Sequence, residues 1–167
     1  MINEVLTQVM QFGNAFNLFT LITIFIGAIL VFRLYQKFAL TRAIKGKKRA
    51  GDNYERRVGK HYENIGYKVD YRGLNMGVKD GGIDLIATKG EELVLIQCKF
   101  WTRWESITHS MVKEFYGNCH FYLDHNPQLQ KKNILCIYAV PNIKSLGSAS
   151  IFVFKNNHKR CRYKIIA

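Results

Sequence analysis

Three polar side chains stand out along an otherwise apolar stretch of the sequence: Asp84, Gln97 and Lys99. Ile83 to Thr88 and Leu93 to Lys99 are short runs rich in Ile, Leu and Val, separated by Lys89-Gly-Glu-Glu92, and this is the pattern of two strands joined by a tight turn. If Gly90 and Glu91 are the central residues of a type II′ turn, whose first central position favours glycine, opposed residues have numbers that sum to 181. Asp84 then faces Gln97, with Cβ atoms about 4.5–5.5 Å apart, so that a carboxylate oxygen and an amide oxygen reach one cation. Lys99 follows two residues later on the same face, opposite Gly82, and Cys98 points the other way. A hard cation such as Mg²⁺ takes oxygen donors of this kind, and the backbone carbonyl of Cys98 offers a third. An ammonium beside the ion orients water and stabilises charge on a phosphate oxygen, a combination that suits phosphodiester hydrolysis.

The surrounding elements read as the support for this hairpin. Asp52 and Glu55 have the spacing of a capping box, and Tyr54, Val58, Tyr62 and Ile65 recur at helical spacing, which predicts a helix over 52–65 ended by Gly66. Tyr67 to Tyr71 alternates as a first strand, and Gly73, Gly77, Gly81 and Gly82 mark a flexible connection into the hairpin. A second helix is expected from Ser106 to about Leu123, with Ile107, Met111, Phe115 and Cys119 on one side. Asn133 to Val140, closed by Pro141, is a continuous apolar run of the kind that forms a strand buried on both faces. Ser145 to Asn156 reads as a helix through Leu146, Ala149 and Val153, with a strand over Ile151 to Phe154 as the alternative, and Tyr163 to Ile166 reads as an edge strand. The sum is an α/β fold, an α/β/α sandwich around a mixed central sheet.

The N-terminal part has a different composition. From Val5 to Phe32 no residue is charged, and the run is long enough for one transmembrane helix. Arg33, Lys37, Arg42, Lys45, Lys47, Lys48 and Arg49 follow it, with no acid between them. The positive-inside rule then puts the N-terminus outside and the C-terminal domain in the cytoplasm, on a single-pass protein of the inner membrane. The expected division is an anchor and juxtamembrane helix over 1–43, a basic linker over 44–51 with Gly46 and Gly51 as helix stops, and a catalytic domain over 52–167. Residues 51–167 hold 18 basic and 11 acidic side chains out of a whole-chain net charge of +13, an excess that favours a polyanionic partner. Cys98, Cys119, Cys136 and Cys161 lack Cys-x-x-Cys spacing and are expected as buried free thiols. A zinc site from Cys119, His120, His158 and Cys161 has no usual ligand spacing and is set aside.

Asp80-Gly-Gly-Ile-Asp84 followed by Gln97-Cys-Lys99 resembles the active-site hairpin of the Mrr-like (type IV) restriction endonucleases, a branch of the PD-(D/E)xK nuclease superfamily in which Gln commonly replaces the acid before the lysine. The resemblance takes in most of residues 52–166, including Tyr54-Glu55 and Val112-Lys-Glu-Phe-Tyr-Gly117. It implies a restriction-endonuclease-like fold and Mg²⁺-dependent DNA cleavage, with catalysis by Asp84, Gln97 and Lys99 assisted by Glu55. Trp101, Arg103 and Trp104 could stack on bases or grip phosphates, and Lys113 and His109 could face DNA, though packing and a solvated helix face explain them as well. The expected partners are DNA, the membrane and a second copy of the chain, with no small-molecule cofactor. Two other readings are a non-catalytic nucleic-acid-binding module at the membrane and a nuclease acting on RNA or branched DNA.

Overall fold

A computed structural model describes residues 2–76, 81–101 and 106–167, without the side chains at 2, 6, 9–18 and 76. The chain divides into two units, Met1–Gly46 and Lys47–Ala167. Helix α1, Ile2–Asn64, supplies all of the described first unit and the opening of the second. Within Phe19–Asn64 an 18-residue window reaches a mean hydropathy of 1.8 with none of it buried, long and apolar enough to cross a membrane. The expected glycine stops are not used. Gly46 and Gly51 lie inside α1, residues 44–51 are helical, and a Cβ on either glycine would meet nothing within 4 Å. One glycine costs a helix interior only about 1 kcal/mol, less than it takes to interrupt so long a hydrogen-bonded ladder. Asp52 is therefore an interior residue and not an N-cap, which removes the capping box as an explanation for Glu55.

In the second unit α1 gives way to strand β1 (Lys68–Asp70), helix α2 (Arg72–Met76), strands β2 (Leu85–Lys89) and β3 (Glu92–Cys98), helix α3 (His109–Asp124), strand β4 (Asn133–Val140), helix α4 (Ser148–Asn156) and strand β5 (Cys161–Ile165). The five strands form one mixed sheet in sequence order. β1, β2 and β3 run antiparallel to their neighbours, whereas β3, β4 and β5 are parallel. β5 closes one edge, and β4 lies inside the sheet between β3 and β5, with Cys136 to Val140 all buried.

Alternation along the strands divides the core into two layers. Leu93 and Leu95 of β3, with Cys136, Tyr138 and Val140 of β4, face Val112, Phe115, Cys119 and Leu123 of α3 and Phe154 of α4. The residues between them, Val94, Ile96 and Cys98 with Ile137 and Ala139, face Tyr54, Val58 and Tyr62 of α1. This is the expected α/β/α sandwich. Leu95 is 0% exposed at the centre of one layer, and Leu95→Ala is expected to lower the unfolding free energy by about 2–5 kcal/mol, read as a shift in denaturant midpoint.

Two boundaries differ from the sequence reading. The second helix starts at His109, because Thr108 is its N-cap and its hydroxyl accepts a hydrogen bond from the Met111 amide at 3.4 Å. Ile107, expected on that helix, is instead fully buried in a parallel bridge to Leu146, donating to the Ser145 carbonyl at 2.8 Å and accepting from Gly147 at 3.1 Å. The connection after β1 is also more ordered than its glycines suggest, since residues 72–76 make a short helix.

Candidate active site

The register derived from the turn holds along the hairpin. Leu85 pairs with Ile96, Ile86 with Leu95, Ala87 with Val94, Thr88 with Leu93 and Lys89 with Glu92, each pair summing to 181. Gly90 has φ of +54°, and among the described residues no non-glycine has positive φ, so the left-handed position falls on the first of the two turn residues, as a type II′ turn requires.

The ladder ends at Leu85, one residue short of Asp84, and Asp84 uses its hydrogen-bonding groups differently. Its amide donates to the Ile96 carbonyl at 2.9 Å, its carbonyl accepts from the Gly73 amide at 2.8 Å, and its carboxylate Oδ2 accepts from the Cys98 amide at 2.6 Å. The side chain is therefore anchored across the hairpin to the residue between Gln97 and Lys99. A short hydrogen bond from a backbone amide to a carboxylate is charge-assisted and holds the second oxygen in a defined direction.

Gln97 and Lys99 are half-buried beside it, and Lys99 extends the parallel ladder past the end of β3 by donating its amide to the Ala139 carbonyl at 3.0 Å. Cys98 turns to the opposite layer, against Tyr54, Val58 and Ile137. Its thiol is held well above the ordinary range, first by burial and then by the carboxylates of Asp84 and Glu55, while the Lys99 ammonium opposes the shift. One buried sulfur thus senses all three charged members of the expected site. All four cysteines are free and buried, as expected.

Glu55 arrives from α1. A Cβ placed on Gly73 would lie 2.7 Å from Glu55 Oε2, 3.2 Å from its Cδ and 3.3 Å from Asp84 Cα. Gly73 is thus the gap through which the Glu55 carboxylate comes up beside the Asp84 backbone. On the other flank, Gly82 has φ of +76°, and a Cβ there would stand 2.6 Å from Asn118 Nδ2 and 3.7 Å from Gln97 Nε2. Gly82 therefore leaves room for Asn118 of α3 to close on Gln97.

Neither Gly73 nor Asn118 carries a sequence signal for a place at this site. Gly73 is one of four glycines in the connection that leads into the hairpin, and Asn118 follows the Val112-to-Gly117 segment with no local signal of its own. Of the residues considered for DNA contact, Trp101 is half-buried against the α3-side core, with its carbonyl accepting from the Ser145 hydroxyl at 3.4 Å. Lys113 and His109 are exposed on α3. Asp80, Arg103 and Trp104 lie outside the described residues.

Among the described residues no three His, Cys, Asp or Glu side chains are grouped as a metal cage, and the Cys119/His120/His158/Cys161 combination gains no support. The donors at the hairpin are of another kind: a tethered carboxylate, an amide oxygen and a second carboxylate approaching past Gly73. They fit a hard cation that uses one or two protein carboxylates and takes its remaining ligands from water and phosphate, as Mg²⁺ does.

No curated protein matches the chain. Among solved structures, one similar to it is the MspJI restriction endonuclease in complex with a 27-mer oligonucleotide, at 15% sequence identity and a TM-score of 0.47, over 75% of this chain and 27% of that one. The model of the family Mrr_cat, restriction endonuclease, matches residues 47–127, which contain Glu55, Gly73, Asp84, Gln97, Lys99 and Asn118. Over residues 47–127, which take in the hairpin and α3, the chain is thus similar to the Mrr_cat restriction endonuclease family.

Proposed function

We propose that this protein is a membrane-anchored, Mg²⁺-dependent endonuclease that hydrolyses phosphodiester bonds of DNA. A restriction endonuclease domain points to a nuclease acting on DNA. The observation that carries the finer reading is the Asp84 carboxylate tied to the Cys98 amide at 2.6 Å, with Gln97 and Lys99 on either side of Cys98 and Glu55 approaching past Gly73.

Asp84, Gln97 and the Cys98 carbonyl would hold the cation, which supplies Lewis-acid polarisation of the phosphoryl oxygens and lowers the pKa of water. The tether to Cys98 keeps Asp84 in one orientation through the reaction, so no reorganisation is needed as charge develops. Lys99 places a positive charge where the phosphate gains negative charge and donates hydrogen bonds to the attacking water or the phosphoryl oxygen. Glu55 accepts a hydrogen bond from water on the α1 side and steers it. In the anchoring part of the proposal, the apolar stretch of α1 spans the inner membrane once, and the seven basic residues that follow it hold the nuclease domain on the cytoplasmic side.

The full chain in detergent, incubated with supercoiled plasmid, is expected to nick and then linearise it when Mg²⁺ is present and to stop when EDTA is added. Absence of cleavage on DNA with any divalent cation would sink the reading, and cleavage confined to RNA would reassign the substrate. Resistance of the membrane-bound protein to alkaline extraction tests the anchor separately.

A further inference from the structure

A second polar feature lies next to the hairpin and is used by nothing described above. Arg72 opens α2 and precedes Gly73, the residue that donates to the Asp84 carbonyl. Its Nε is buried and has no hydrogen-bond partner among the described residues. Its guanidinium lies over the Tyr122 ring, 4.7 Å from the centroid. A buried charged donor without an acceptor is costly, and the ring's quadrupole compensates only in part. Arg72 lines a cavity of about 370 Å³ together with Gly81, Asn118, Phe121 and Tyr122, and no carboxylate is among its described lining residues. The cavity falls in the range of ligand-binding clefts. Asn118 belongs both to its wall and to the Gly82–Gln97 flank of the candidate active site.

We infer that this cavity takes one nucleotide of the DNA strand beside the cleaved bond, with Arg72 clamping its phosphate and Phe121 offering a face for its base. The inference rests on the nuclease reading and deepens it. A guanidinium matches a phosphate with two parallel hydrogen bonds, and Arg72 has donors to give, since stacking on Tyr122 orients the group without consuming them. Tyr122 has one face taken by Arg72, whereas Phe121 is 65% exposed, an apolar ring left at the surface of the cavity. Stacking on such a ring is indifferent to base identity, so the pocket would position a strand without selecting a sequence.

The test is equilibrium binding of a fluorescein-labelled DNA duplex to the full chain in detergent, with EDTA present, across a series of salt concentrations. Arg72→Gln is expected to weaken binding about 10-fold and to lower the slope of log affinity against log salt by about 0.9, the signature of one lost phosphate contact. Arg72→Lys keeps the charge and is expected to restore the slope while binding a few-fold more weakly than the unmodified chain, because the two-pronged geometry is gone. Phe121→Ala is expected to weaken binding about 10-fold with the slope unchanged.

The clamp is overturned if Arg72→Gln binds with the affinity and slope of the unmodified chain. It is equally overturned if Arg72→Gln melts at a lower temperature but keeps the slope, since a purely structural arginine would do that. These outcomes are separable from failure of the nuclease reading, in which the unmodified chain itself neither binds nor cleaves DNA.

Discussion

Lys99→Ala is expected to reduce Mg²⁺-dependent plasmid cleavage by about 10²–10³-fold while leaving the fold intact, the usual cost of removing one preorganised group that stabilises transition-state charge. The backbone of Lys99 already secures its place, through the hydrogen bond its amide donates to the Ala139 carbonyl at 3.0 Å, so the substitution removes the ammonium and little else. Asp84→Asn is the companion measurement. It preserves the shape of the side chain and an oxygen able to accept from the Cys98 amide, now at 2.6 Å, but deletes the negative charge. Cleavage is expected to fall at least as far, with a partial return at high Mg²⁺ that Lys99→Ala does not show. If both variants cut plasmid at the rate of the unmodified chain, the hairpin is not the catalytic centre.

Gly73→Ala is expected to lower cleavage by about 10²-fold with under about 1 kcal/mol change in stability, an unusual division for so small a change. Gly73 sits within α2 and not at a left-handed position, so an alanine suits its backbone. The obstacle is the carboxylate. The new methyl would stand 2.7 Å from Glu55 Oε2, the far end of a flexible side chain that swings away at little cost in folding energy. Displacing that group by an ångström is what costs rate. Glu55→Gln is expected to lose a similar factor, and the double variant to lose no more than either single one, since both changes withdraw the same carboxylate. Wild-type activity in Gly73→Ala would remove Glu55 from the site and leave it a helix-surface residue. Additive losses would mean that Gly73 acts through the Asp84 backbone, whose Cα lies 3.3 Å from the same point.

The hairpin was legible in the sequence because its determinants are local. A strand has a period of two, so one glycine turn settles the register of every residue on both arms, and the pairs from Leu85–Ile96 to Lys89–Glu92 follow from Gly90 alone. Strand β4 was legible because five consecutive buried residues, Cys136 to Val140, can belong only to an element covered on both sides. Local signals also misled. Asp52 and Glu55 have capping-box spacing, yet the helix passes through them, and Ile107 fits the apolar stripe of α3, yet it pairs with Leu146. In each case a short-range pattern admitted two outcomes, and contacts with distant residues or the continuity of a long helix selected one.

The sequence by itself therefore determined which side chains share one face of the hairpin, the two-layered core and the apolar, then basic, character of the N-terminal stretch. Only the tertiary structure decided what meets that face. Glu55 comes to it from α1 through the space at Gly73, Asn118 comes from α3 through the space at Gly82, and Arg72 is left on the rim with a buried donor that no described residue matches. No periodicity records these approaches, because each depends on how separately formed elements pack and on what a missing Cβ leaves open. The tether between Asp84 and Cys98 belongs to both levels: register brings the two residues together, and the departure of Asp84 from the ladder toward Gly73 turns its carboxylate into an acceptor for the Cys98 amide.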